Sequence, residues 1–159
     1  AAIPAEPDLD AIYRGPATRR IGSDVTLVAA GYAANLAEAA SEELEAEGIS
    51  VEFIDLRSIN PLEIGPSVES VRRTGRLVVV DLGWTTCGLG GEVIAATVEC
   101  VDPRELRAKP RRVTLQDAPA PTSAPLEAVG AIAPVGNETS ANACCARIDA
   151  STPSRPRQS

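Results

Sequence analysis

The chain has 159 residues, enough for one domain with a substantial core, and its 44% hydrophobic and 23% charged content is that of a soluble globular protein. Aromatics make up only 3%, so the core must be built from Ala, Val, Leu and Ile. Fifteen Lys+Arg against 22 Asp+Glu give a net charge of −7, which argues against nucleic acid or an anionic membrane as partner. The absence of histidine closes Ser-His-Asp and Cys-His catalysis, histidine metal sites and the usual proton shuttle.

No apolar run approaches the ~20 residues that span a bilayer. The first ten residues, AAIPAEPDLD, lack the basic and apolar regions of a signal peptide. Cys87, Cys100, Cys144 and Cys145 fit neither zinc-site nor disulfide spacing, which points to reduced thiols and a cytoplasmic protein.

Residues 1–22 are rich in Pro, Ala and charge and read as a linker or arm arriving from an upstream domain. Pro4, Pro7 and Pro16 oppose regular pairing there. Regular structure is expected over 23–150. VTLVAA (25–30) is a short apolar run suited to a strand buried on both faces. YAANLAEAASEELEAEG (32–48) predicts a helix with Leu36, Ala40 and Leu44 inward and Gly48 as its stop. ISVEFIDL (49–56) is the second strand. Ile64, Val68 and Val71 then recur at helical spacing, with Glu63 at the start, Arg72 and Arg73 at the end and Gly75 as the stop.

RLVVVDL (76–82) is the third strand and the most apolar. EVIAATVECV (92–101) predicts a helix with Val93 and Ala96 inward. Asp102-Pro103 interrupts it, and RRVTLQD (111–117) is the fourth strand. Residues 137–150 are compatible with a last helix, and 151–159 read as a disordered tail. Strand and helix alternate, which predicts an α/β fold: a three-layer α/β/α sandwich around a mostly parallel sheet.

Chemistry concentrates in DLGWTTCGLGGE (81–92). Gly88, Gly90 and Gly91 precede a helix whose free N–H groups could hold an anion. Yet Val93 stands where a dinucleotide fingerprint needs its third glycine, a Walker lysine is absent, and Glu92 adds negative charge. The alternative is a tight turn that seats the helix close to the sheet. Cys87 at a helix start could ionise, but Asp81 and Glu92 oppose it, so it reads as a small hydrophobe. Trp84 suits an interface anchor or packing within its own domain. Asp55, Asp81 and Asp117 each end a predicted strand and are expected to cap or to pair with Arg57 or Arg76. No catalytic constellation assembles, which points to a scaffold or docking role.

Five stretches carry a resemblance: GSDVTLVAAG (22–31), IDLRSINPLE (54–63), SVRRTGRLVVVD (70–81), CGLGGEVIA (87–95) and RRVTLQDAPAPTSAPLE (111–127). In order and spacing they resemble the C-terminal, transketolase-like domain of the beta subunit of thiamine-diphosphate-dependent 2-oxo acid dehydrogenases, over residues 12–127. The resemblance implies a holoenzyme with thiamine diphosphate and Mg2+, alpha and beta subunit partners and an acyltransferase core. It assigns this domain no catalytic, cofactor-binding or metal residue. Trp84, Cys87, Gly88, Gly90, Gly91 and Glu92 become a structural turn or interface. The chain departs from the family at Val101-Asp102-Pro103, where an aromatic residue is usual, and at LRAKPRR (106–112), where some members carry an acid. The competing expectation is a free-standing nucleotide- or anion-binding module that uses the helix start at Gly88–Glu92.

Overall fold

The computed structural model describes residues 15–115. Five strands form one sheet in the order β1-β3-β2-β4-β5. They are β1 (Ala17–Arg20), β2 (Val25–Ala29), β3 (Val51–Asp55), β4 (Leu77–Trp84) and β5 (Arg111–Leu115). β2 pairs in parallel with both β3 and β4, and β4 in parallel with β5. Only β1 is antiparallel, on the β3 edge. Helices α1 (Tyr32–Ala46), α2 (Gly65–Thr74) and α3 (Leu89–Glu99) supply the crossovers. The expected α/β sandwich with a mostly parallel sheet is what forms.

β2 and β3 are buried at every position, as strands covered on both faces must be. Their alternating side chains feed two aliphatic cores. Val25, Leu27, Val51, Phe53, Val78 and Val80 pack under α1. Val28, Ile54, Val79 and Leu77 pack under α2 and α3 with Val68, Val71 and Val93. The lone phenylalanine, Phe53, sits fully buried in the first of these.

The inward face of α1 differs from the sequence expectation. Ala33, Ala34, Ala37, Ser41 and Leu44 are buried, whereas Leu36 and Ala40 are only half-buried. Small residues bring the helix axis close to the sheet, and that close approach outweighs the larger area Leu36 would bury. Ser41 satisfies its buried hydroxyl by donating to the Ala37 carbonyl at 2.7 Å.

α2 begins with Pro66 in its first turn and ends at Gly75, whose φ of 69° is the left-handed stop glycine favours. Glu63 lies ahead of this helix, so the acid expected in its first turn is not there. Arg72 and Arg73 do occupy the last turn. Beneath α2 the Thr26 hydroxyl lies 2.7 Å from both the Ser70 and Thr74 hydroxyls, a polar seam inside an apolar layer.

The reading of residues 1–22 as a linker needs correcting at its end. Ala17–Arg20 is an edge strand on β3, with a register shift between Thr18 and Arg20. Pro16 sits just ahead of the strand, at an edge where proline does no harm. Arg19 reaches Glu38 at 2.7 Å and Asp55 at 3.1 Å, and Arg20 reaches Glu45 at 2.9 Å, so two arginines pin the strand to α1 and β3. Glu38's hydrogen bond, then the charge of Asp55, hold the Arg19 guanidinium above its ordinary pKa against the opposing effect of burial. The expected helix over 137–150, the tail over 151–159 and Asp117 lie outside the described residues.

Candidate functional site

β4 runs three residues past Asp81, to Trp84, and delivers the chain onto β5. The loop that follows is tied down on that side. The Thr85 N–H donates to the Leu115 carbonyl at 3.1 Å, and its hydroxyl lies 2.7 Å from that of Thr114. Arg112 donates to the Thr85 carbonyl at 2.8 Å. None of these partners on β5 was singled out in the sequence, because nothing local marks which strand a loop will lie against.

The decisive group is Asp81. One carboxylate oxygen accepts the Gly83 N–H at 2.8 Å, and the other accepts the Gly90 N–H at 2.8 Å. Gly90 is the second residue of α3, so its N–H is among those a helix start leaves without an internal partner. The helix start that could have held a foreign anion therefore holds a carboxylate from its own chain. Gly88, the residue before the helix, has no side chain to cap it. Capping comes across the loop from the strand instead. Asp81 was expected to cap or pair, and it caps; its role as the resident anion was visible in sequence only as an acid ending a strand ahead of a glycine-rich turn.

The three glycines do different jobs. A Cβ at Gly88 would overlap the Trp84 carbonyl oxygen and sit 2.8 Å from an Asp81 carboxylate oxygen. At Gly90 it would lie 3.4 Å from Asp81 Cβ, an ordinary packing distance. At Gly91 it would meet only the far end of Arg112, at 3.3 Å. The close approach expected of the turn is thus made at Gly88. Glu92 is exposed in the first turn of α3, where its charge suits the helix dipole.

Trp84 and Cys87 both stand at the surface. Cys87 has φ of 59°, a left-handed conformation unusual for a residue with a side chain. The loop places all six residues of the turn together, with apolar and thiol groups outward and the anion-holding group inward. Asp55, at the end of β3, accepts the backbone N–H of Arg57 at 3.1 Å and pairs with Arg19. Asp55 and Asp81 lie on strands separated by β2, roughly 10 Å apart at the usual strand spacing. Among the described residues no group of three His, Cys, Asp or Glu side chains could hold a metal ion.

Comparison with known proteins fits this geometry. The family described as "Transketolase, C-terminal domain" matches residues 16–134. The pyruvate dehydrogenase E1 component subunit beta of Rhizobium meliloti is 44% identical over 80 residues, covering 50% of this chain and 17% of that protein. The mitochondrial subunit of Drosophila melanogaster is 41% identical over 109 residues, 69% of this chain and 30% of that one. A solved structure titled "Split gene transketolase, inactive beta4 tetramer" superposes with a TM-score of 0.65 at 26% identity, over 86% of this chain and 41% of that one. The chain thus spans less than a third of the length of these curated relatives. By the match over most of its length, the chain belongs to the transketolase C-terminal domain family, with pyruvate dehydrogenase E1 beta subunits among its relatives.

Proposed function

We propose that the chain is the terminal assembly domain of a cytoplasmic 2-oxo acid dehydrogenase beta subunit. The holoenzyme performs thiamine-dependent oxidative decarboxylation of a 2-oxo acid, with acyl transfer to a lipoyl group, and this domain does no chemistry of its own. Its partners are the alpha and beta subunits, with the acyltransferase core reached through the assembled enzyme. The observation that carries the reading is the Asp81 carboxylate on the Gly90 N–H: the best anion-holding feature of the fold is internally satisfied, while Trp84 faces outward.

Thiamine diphosphate and Mg2+ do not fit the described residues. The glycine-rich helix start already carries a negative group, and a diphosphate there would meet Asp81 at close range. The domain therefore contributes surface, and the cofactor belongs to the rest of the holoenzyme. A neighbour in fold whose title names a tetramer of beta chains supports an associating role.

The experiment is a pair of measurements on the full chain. In size-exclusion chromatography it is expected to self-associate or to co-elute with purified pyruvate dehydrogenase alpha or beta subunits. In thermal denaturation, ATP, NAD and FMN are expected to leave the midpoint unchanged. A clear rise with any of the three, together with elution as a lone monomer in every mixture, would establish the free-standing nucleotide-binding module instead.

A further inference from the structure

β1 buries no side chain completely. Ala17 and Arg20 are half-buried, and Thr18 and Arg19 are exposed. It pairs with β3 at Ala17–Asp55, Thr18–Ile54 and Arg20–Phe53, so Arg19 is one residue too many for the ladder. A short, interrupted edge ladder with no apolar anchor is a segment of low local stability. Carboxylates supply what packing does not. Arg19 reaches Glu38 at 2.7 Å and Asp55 at 3.1 Å, and Arg20 reaches Glu45 at 2.9 Å and Glu42 at 3.5 Å. The Arg20 Nε is buried with no hydrogen-bond partner among the described residues, so that cation is held by its two outer nitrogens.

The four acids are of two kinds. Glu38, Glu42 and Glu45 stand on α1 with side chains 35%, 66% and 45% exposed, so dissolved salt screens their pairs. Asp55 is buried, and salt screens its pair with Arg19 far less. Asp55 also has a second duty. Its other oxygen accepts the Arg57 N–H at 3.1 Å, at the start of the segment 56–64 that joins β3 to α2. Once Arg19 leaves, the buried carboxylate loses that cation and turns toward water, which frees the Arg57 N–H. A separate contact joins the same two segments. Gly15, buried just ahead of β1, lies against the Glu63 carboxylate, and a Cβ there would stand 2.5 Å from its Oε2.

We propose that residues 15–20 are an ionic strap that fixes the loop 56–64, and that screening of the strap's glutamate pairs releases strap and loop together. The loop lies at the same edge of the sheet as the turn bearing Trp84, so release reshapes that edge. The device belongs to the lone domain and is independent of whether the chain assembles.

Amide hydrogen exchange of the full chain, followed residue by residue by NMR at neutral pH, tests it. Sodium chloride at about 0.01 M and about 1 M changes the Debye length from about 30 Å to about 3 Å. The expected result at high salt is exchange about three- to tenfold faster at residues 17–20 and at Arg57, by a common factor, the size that screening a few exposed pairs produces. Amides of β2 should exchange at the same rate in both solutions. The triple variant Glu38→Gln, Glu42→Gln, Glu45→Gln should show the fast rates already at low salt and little further change at high salt. Its three sites reach solvent, and the wild-type comparison carries the test should the variant fail to fold. Exchange at residues 17–20 that ignores salt overturns the strap. Faster exchange there with Arg57 unchanged overturns its hold on the loop. Equal quickening throughout β2 overturns both, because the whole domain is then opening.

Discussion

At Gly88 the backbone has φ of −76° and ψ of 160°, which any residue adopts, so its requirement for glycine is purely a matter of space. Alanine there would push the Trp84 carbonyl and the Asp81 carboxylate, the two groups that define the turn. We expect Gly88→Ala to destabilise the domain by about 1–3 kcal/mol, the usual effect of overfilling a tight contact. Gly91→Ala should do the reverse. Its new methyl meets only the movable end of Arg112, and alanine favours a helix over glycine by up to about 1 kcal/mol. Urea titration of the two variants checks the contrast, and equal losses at both positions would show that the turn is not built around Gly88. The sequence motif treats the three glycines alike. What separates them is the path of β4 behind them, which no local pattern records.

The elements themselves were legible where a single physical rule dominates. β2 and β4 announce themselves as apolar runs, and α2 shows in the helical spacing of Ile64, Val68 and Val71 and in its stop at Gly75. The inward face of α1 was not legible, because choosing between Leu36 and the alanines depends on how near the sheet lies. β1 was missed for a different reason. ATRR has no strand pattern of its own, and it is held by ion pairs to residues 19–36 positions away. Those pairs are unequal. Asp55 is buried and would lose its Arg19 partner, whereas Glu42 and Glu45 reach solvent. Arg19→Ala should therefore cost roughly 1–2 kcal/mol, the low side for breaking a buried pair because Arg19 itself reaches water. Arg20→Ala should stay within about 1 kcal/mol. Amide hydrogen exchange should quicken across residues 17–20 far more in the first variant than in the second. Matching exchange rates would mean that backbone pairing alone holds the edge strand.

For the molecule as a whole, the parallel sheet sets where anything can dock. Carboxyl ends of parallel strands are where such folds place ligands. Here Asp55 and Asp81 turn inward to hold the loops, and the space they would have given a ligand is used for structure. What faces outward there includes Tyr32, Ile59 and Trp84, large side chains of the kind that contact surfaces use. Part of the case against a nucleotide loop was visible in sequence, in the misplaced third glycine and in Glu92. The rest, the carboxylate already seated on the helix start, needed the fold to bring Asp81 and Gly90 together.

Trp84 is the chain's only tryptophan, so its emission reports this surface with no other indole contributing. The central claim is that the loop bearing it docks against another subunit. Fluorescence of the full chain, followed as concentration rises or as purified alpha and beta subunits are added, should move to shorter wavelength. Quenching by acrylamide should fall in step with association measured by sedimentation. Emission that stays at the wavelength of a solvent-exposed indole, with quenching unchanged in a complex whose formation sedimentation demonstrates, would contradict the account.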